Sequence, residues 1–389
     1  MNVLLVVPWD QAFGGVASVV GNLATHLERR GHRVVFVHPG DPNRRRRRTT
    51  EWGFTGYEIN LRAPFLPDYP LRGILAFLLF FPFTMYQLLS VVRAHRIDVV
   101  NIHYPVEPFV YFGLLRWLLR IRLVVSVHGA DLFPGGRPRR RLPGSVRFLL
   151  ASADAVVAPS RAFLADCLAV LPRAAPKGVV VHNGIDFEEL GRADGAMATA
   201  HWTPYLLCIA AHNEKKGLDV LLRAFAQITQ TRGDLRLLLV GDGPLRSEHE
   251  GLARSLSLEH RVAFLGWRAR PEVARLLRDC VLFVLPSRSE PFGLVVAEAL
   301  ASRKAVVASA VGGIAEIIES GRSGLLVEPD DPDALARALL SVLADDTLRE
   351  SMVEAGYQRV RERFGSEAMG AHYDGVFAAL LNGRSPLAG

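Results

Sequence analysis

Cysteine is scarce. The 389 residues hold three, Cys167, Cys208 and Cys280, far apart and without a C-x-x-C pair. That leaves no basis for a disulfide framework or a thiolate zinc site and points to a reducing compartment. The start, MNVLLVVPWD, has no basic n-region and no small-residue cleavage site, so it reads as a first strand rather than a leader. No metal-ligating constellation is present. The acidic run PDDPDALA at 329–336 precedes a helical pattern, where an aspartate serves as an N-cap. The dinucleotide fingerprint is missing too. The first strand runs into Phe13-Gly14-Gly15-Val16, and the second ends in His38-Pro39-Gly40 rather than in an acid, which excludes nicotinamide binding. Acidic residues are short in the first half. Residues 1–190 carry 23 Lys and Arg against 14 Asp and Glu, whereas residues 191–389 carry 23 against 25.

What is abundant is apolar sequence cut by glycine. Half of the chain is hydrophobic and 34 residues are glycine. Short Val/Leu runs (2–8, 33–39, 98–104, 122–129, 155–160, 178–186) end in turn residues and alternate with helix-length stretches. The pattern restarts at 205–211 and recurs at 235–244, 261–267, 280–287, 305–310 and 324–331. Such alternation specifies parallel sheets covered by helices. The length exceeds one ordinary core. We expect two doubly wound domains, 1–190 and 204–366, joined by a small-residue linker at 187–203. Ligands of such sheets bind beyond the carboxyl ends of the strands, and two domains facing each other make a central cleft.

The basic excess gathers in RRRRR (44–48), RWLLRIR (116–122) and RPRRR (137–141). This is either a solvated surface or a face for anionic lipid or another polyanion. The stretch Gly73 to Val92 has no charge. Its length allows a buried helix, a helix in a membrane interface or a span. A single crossing would separate the early strands from the later strands of one sheet.

Several motifs lie at strand ends. Gly14-Gly15 allows either close ligand approach to free helix N–H groups or a plain turn. VHGAD (127–131) places His128 after a strand, and HNGID (182–186) is either a site or a structural turn. HNEKKG (212–217) puts Lys216 at a helix start, a position suited to a diphosphate. The richest stretch is PSRSEPFGLVVAEALA at 286–301. Glu290 lies in the loop, a helix begins near Phe292-Gly293, and Glu298 lies one to two turns inside it. The free N–H groups of Gly293, Leu294 and Val295 suit a phosphate, and the two carboxylates suit vicinal hydroxyls. Sugar at Glu290, phosphate at the helix start and ribose at Glu298 spell a nucleotide sugar.

On these motifs, together with GDGP (241–244), FLGW (264–267) and AVGGIAEIIESGRSGLLVEPDD (310–331), the chain resembles the retaining glycosyltransferases of family 4. That resemblance implies an α/β, GT-B fold of two Rossmann-like domains facing a central cleft. It implies metal-independent transfer of a hexose from a UDP- or GDP-sugar, without a cofactor, to a lipid-linked, polysaccharide or other glycoconjugate acceptor. His128, Glu290 and Lys216 would act in catalysis. Gly15, Lys216, Gly266, Arg288, Glu290, Phe292, Gly293, Leu294 and Glu298 would bind the donor. The helix at about 367–381 would return to the first domain. The expected setting is cytoplasmic, peripheral to an anionic membrane face, with no nucleic-acid partner. One departure stands out: the family's Gly-Arg ahead of the lysine reads Ala210-Ala211, so either His212, Arg268 or Arg288 replaces its arginine or donor affinity is low. Two rivals are a nucleotide-sugar epimerase, which the Glu-x7-Glu spacing does not support, and a decayed transferase serving as a membrane-surface or partner-binding module.

Overall fold

The computed structural model describes residues 1–8, 14–40, 46–64, 70–136, 142–171, 177–191 and 202–386. The chain divides into two units, Met1–Gly184 with Ser366–Gly389, and Ile185–Gly365. In the first unit β1 (Asn2–Val6), β2 (Arg33–Pro39), β3 (Arg46–Thr49), β4 (Thr55–Ile59), β5 (Val99–His103), β6 (Arg122–Ser126), β7 (Ala155–Ala158) and β8 (Gly178–Val180) form one sheet. Its order is β3-β4-β2-β1-β5-β6-β7-β8, parallel throughout except for the antiparallel β3–β4 pair. In the second unit β9 (Tyr205–Ile209), β10 (Arg236–Val240), β11 (Val262–Gly266), β12 (Leu282–Leu285), β13 (Ala305–Ser309) and β14 (Leu325–Val327) form a parallel sheet ordered β11-β10-β9-β12-β13-β14. Helices connect the parallel strands, so both sheet faces are covered and the central strands are apolar on both sides.

This order places the sites. In each unit the chain first winds outward on one side and then returns to the middle. The reversals fall between β1 and β5 and between β9 and β12. At such a switch point the loops after the two strands diverge and leave a crevice beyond their carboxyl ends. The loops concerned begin at Val7 and Tyr104 in the first unit, and at Ala210 and Pro286 in the second.

The structure departs from the sequence reading in two places. β3 and β4 were not expected. Their segments, RRRT and TGYEI, offer too little alternating apolar pattern. Arg46, Arg47 and Arg48 lie exposed on this edge strand, where charge discourages further pairing. The domain boundary also moves. Residues 185–190 belong to the second unit: the Ile185 N–H donates to Phe364 O at 2.9 Å and Phe187 meets the Tyr357 ring edge-on. In line with the sequence argument, the helix Pro70–His95 is apolar and long enough to span a bilayer, yet β1, before it, is hydrogen-bonded to β5, after it. A crossing would tear that pair apart. Phe13, Arg44, Arg45, the RPRRR run at 137–141 and residues 192–201 of the expected linker lie outside the described residues.

The helix Ser366–Leu381 belongs to the first unit. Asp374 pairs with Arg30 and His32 at 2.8 and 2.9 Å. A Cβ at Gly370 would stand 2.2 Å from the His26 ring, so only glycine lets this helix approach so closely.

Candidate active site

In the second unit the crevice between β9 and β12 is built by backbone packing. After β9 a short 3-10 turn, Glu214–Lys216, ends at Gly217 in the left-handed region, φ 61°. A Cβ there would lie 2.1 Å from Pro286 O, so this glycine is what allows the turn to press against the end of β12. The contact carries Lys216 to Glu290: its ammonium donates to Glu290 Oε2, with both side chains largely buried. On the other side the Gly313 N–H donates to Glu290 O at 3.1 Å.

The next helix, Leu294–Ala301, starts at Gly293, φ 100°, with no side-chain cap. Its first N–H groups lie outside the intrahelical ladder. Lys216, Glu290, Gly293 and Leu294 therefore share one crevice. Glu298 lies inside this helix, 2% exposed. Burial pushes its carboxyl pKa up, opposed by Arg270. Arg270 Nη1 donates to Glu298 Oε1 at 2.5 Å, while its Nε and Nη2 hold Glu189 at 3.0 and 2.7 Å. Arg270 and Glu189 were missed in the sequence. A cation in the first turn of a helix, where the dipole disfavours it, was the available signal. One oxygen of Glu298 is thus engaged, which leaves Oε2 for a diol rather than both oxygens.

Three of the expected donor residues are corrected. Arg288 is not free for a diphosphate. Its guanidinium forks onto Asp219 at 2.9 and 2.8 Å, reaches Asp330 at 2.5 Å and donates to Glu214 O at 2.7 Å. It ties the Lys216 turn to the Glu290 loop. Phe292 is 2% exposed and packs edge-on against Phe364, so its ring belongs to the core. Gly266 ends β11, two strands from β9, and its carbonyl accepts from the Gly241 N–H at 2.9 Å, a turn-forming role. His212 is fully buried against His249, 3.1 Å between Nδ1 atoms, and burial with that neighbour pushes its pKa down to about 4. It is neutral at pH 7. Of the two arginines among the substitutes, Arg268 makes only a loose ion pair among the described residues, 3.8 Å to Glu272.

In the first unit Gly14, φ 86°, is the N-cap of the helix Gly15–Arg29 beyond β1. His128 follows β6. The Asp131 carboxylate accepts from the N–H groups of His128, Gly129 and Leu132 at 2.9, 2.7 and 3.0 Å, which fixes the HGAD turn. Burial raises the Asp131 pKa to about 6, against these hydrogen bonds. The His128 ring meets His103 at the end of β5, a residue the sequence reading missed, at 3.1 Å. HNGID is structural here: the Gly184 N–H meets the Met369 sulfur and Asp186 caps Glu188 and Glu189. Among the described residues no three His, Cys, Asp or Glu side chains gather as a metal site.

Acidification should destabilise the protein. His26, His103, His128, His212 and His249 all have pKa values lowered by burial, His128 to about 3. The unfolded chain takes up their protons below pH ~6.5 while the native fold does not. Each such group costs about 1.4 kcal/mol per pH unit between those values. Asp131 and Glu298, with raised values, act oppositely but are outnumbered. The midpoint of urea unfolding should be clearly lower at pH 5 than at pH 7.5; an equal midpoint contradicts the buried neutral histidines.

Two parallel-sheet Rossmann-like domains, the second with a lysine–carboxylate pair and an uncapped helix start at its switch point, define a glycosyltransferase of the GT-B class. Residues 13–189 match the model of Glycosyltransferase Family 4 and residues 198–359 that of Glycosyl transferases group 1. The D-inositol 3-phosphate glycosyltransferase 1 of Catenulispora acidiphila is 35% identical over 70% of this chain and 70% of its own. The N-acetyl-alpha-D-glucosaminyl L-malate synthase of Bacillus anthracis is 28% identical over 95% and 94%. The phosphatidyl-myo-inositol mannosyltransferase of Mycobacterium leprae is 27% identical over 93% and 92%. Among solved structures, sucrose-phosphate synthase of Thermosynechococcus elongatus superposes with a TM-score of 0.76 at 22% identity, covering 98% and 99% of the chains. Anabaena HepE in complex with UDP-glucose gives 0.72 at 20%, covering 98% and 100%. The chain belongs to glycosyltransferase family 4.

Proposed function

We propose that this glycosyltransferase moves a hexose, with retention and without a metal, from a UDP- or GDP-sugar to a lipid-linked or polysaccharide acceptor at an anionic membrane surface. The observation that carries the reading is the Lys216–Glu290 pair beside the uncapped helix start at Gly293. In this reading Glu290 accepts from the sugar hydroxyls. Glu298, through the oxygen that Arg270 leaves, accepts from the ribose. Lys216 and the N–H groups of Gly293 and Leu294 face the diphosphate, and His128 contacts the sugar. The bond from the anomeric carbon to the phosphate oxygen breaks as the bond to the acceptor oxygen forms on the same face. The acceptor proton passes to the departing phosphate oxygen. Fixed positive groups aimed at that developing charge stabilise it in place of a metal ion. HepE, a structural neighbour, binds UDP-glucose, and three relatives are named for malate, inositol phosphate and phosphatidylinositol, which supports a nucleotide-sugar donor and a polar or lipid acceptor. A purified preparation should turn over a nucleotide sugar in excess EDTA; loss of turnover restored by magnesium or manganese would refute the metal-free reading.

Lys216 should carry an unusual share of the diphosphate charge, because Ala211 stands where the family has arginine and Arg288 and His212 are committed elsewhere. Lys216→Ala is expected to weaken UDP or GDP binding at least tenfold, in line with charge-assisted hydrogen bonds of about 1.5–3 kcal/mol. Ala211→Arg is expected to strengthen it. Calorimetric titration checks both. Unchanged affinity in Ala211→Arg would assign the role to another cation, Arg268 first.

The absent arginine also motivates the second reading, a weakly active member that serves as a membrane or partner module. Donor hydrolysis by the purified protein separates the two.

A further inference from the structure

We propose that Tyr373, Ser126, Asn101 and His103 form a one-way hydrogen-bond relay that fixes His128 as its Nδ1–H tautomer. His128 thereby offers the transferred sugar a neutral donor. This rests on the reading of His128 as a sugar-contacting residue.

The relay begins on the C-terminal helix. The Tyr373 hydroxyl donates to Ser126 Oγ at 3.0 Å, and Ser126 Oγ donates to Asn101 Oδ1 at 3.0 Å. With its oxygen so engaged, Asn101 turns its NH2 to His103 Nε2 at 3.0 Å. An amide NH2 only donates, so His103 Nε2 holds a lone pair and the His103 proton sits on Nδ1. That proton points to His128 Nε2, 3.1 Å away. His128 Nε2 is then an acceptor, and its own proton is left on Nδ1. The bond made by one ring nitrogen sets the state of the other.

Burial makes this direction binding. Asn101 and His103 are fully buried, and Ser126 and Tyr373 nearly so. Run in reverse, the unmatched donor is the phenolic proton of Tyr373, shut inside the fold with no ligand to meet it, which is costly. Run forward, the one unmatched donor is the His128 Nδ1–H, which the sugar of the proposed reading would satisfy. His128 Nδ1 is enclosed and has no partner among the described residues, as expected of a group whose partner is a ligand. Both rings stay neutral, because burial lowers their pKa values. The arrangement explains why a polar chain crosses an otherwise apolar sheet, and why a tyrosine from the last helix reaches it. The four relay residues position His128 and do not themselves touch the sugar.

Nitrogen-15 correlation spectra of the imidazole rings test this without any activity measurement. In the unaltered protein at pH 7.5, His128 Nδ1 should resonate as an N–H nitrogen and Nε2 as a lone-pair nitrogen; the opposite assignment overturns the proposal. Asn101→Leu removes the donor to His103. His128 should then populate both tautomers, and kcat should fall about tenfold or more, as expected of a misdirected catalytic imidazole, with the donor KM within about threefold. Tyr373→Phe keeps the packing and removes only the first donor, so it should cause a smaller loss of the same kind. A loss of kcat with His128 still purely Nδ1–H would make the chain structural only and refute the relay. Full activity of His128→Ala would refute the sugar contact while leaving the tautomer result standing, so the two failures are distinguishable.

Discussion

Replacing Glu290 with alanine is expected to lower kcat/KM by about 30- to 1,000-fold, corresponding to ~2–4 kcal/mol of lost transition-state binding. Two effects add. The sugar loses a charged acceptor, and Lys216, largely buried beside it, loses the carboxylate that holds its ammonium in position. Glu290→Gln separates them: it keeps a hydroxyl acceptor but removes the ion pair, so an intermediate loss is expected. Glu298→Ala should fall in the same range without unfolding, because Arg270 keeps Glu189 on its other nitrogens and is not left as a bare buried charge. Steady-state kinetics with thermal melts on the three variants checks this. Near-normal turnover in both alanine variants would remove the donor site from this crevice.

Binding to anionic vesicles is expected to collapse when Leu75, Leu78 and Leu79 are replaced together by serine. Leu71, Ile74, Leu75, Leu78, Leu79, Phe83 and Tyr86 are all exposed, from 41% to 75%. Their spacing of three and four residues puts them on one face of the helix Pro70–His95. Met85, Leu88, Val91 and Val92 on the other side enter the core. Phe77 and Phe81 stack on Tyr111 of the helix Val110–Leu118, whose own Trp117 and Leu118 are exposed. The apolar stripe runs for about 22 Å at 1.5 Å per residue, longer than scattered surface apolars require. The occupant its surroundings favour is an anionic bilayer, given the basic excess of residues 1–190 and the exposed Arg93 and Arg96 at the end of the helix. At about half the 1.5–3 kcal/mol of full burial, three leucines give ~3 kcal/mol, or roughly a hundredfold. Basic residues add about 1 kcal/mol each, screened by salt, so Arg46, Arg47 and Arg48 changed to Gln should weaken binding less and only at low salt. Donor affinity should be untouched in both. Cosedimentation decides: negligible binding to neutral and anionic vesicles alike refutes the docking face, and extraction by detergent alone contradicts the β1–β5 pairing.

Much of this protein is legible residue by residue. Twelve of the fourteen strands among the described residues announce themselves as Val/Leu runs ending in glycine or a polar turn, because a strand buried on both faces admits little else. Of the two that do not, β3 is an exposed edge strand, where solvent imposes no apolar pattern, and β4, buried between β3 and β2, is a short segment broken by Gly56 and Glu58. That Lys216, Glu290, Gly293 and Glu298 gather about one helix start was legible because the proposed phosphate and hydroxyl recognition demands particular groups there. Their local chemistry does not depend on the rest of the chain.

The partners of those groups were not legible. Whether Arg288 is free or forked onto Asp219 and Asp330, and whether Glu298 offers two oxygens or one, depends on side chains 28 to 69 residues away. Sequence spacing carries no distance across a sheet. The same holds for Tyr373, 247 residues from Ser126, and for the apolar helix at 70–95, whose composition alone suits core, interface or span. By itself the sequence determined the fold class and the element pattern, since both are written in short-range periodicity and helix-end geometry. Only the tertiary structure decided which charges are spent on one another and which face of the apolar helix remains uncovered. Those are outcomes of competition for partners and burial among residues that only the fold brings together.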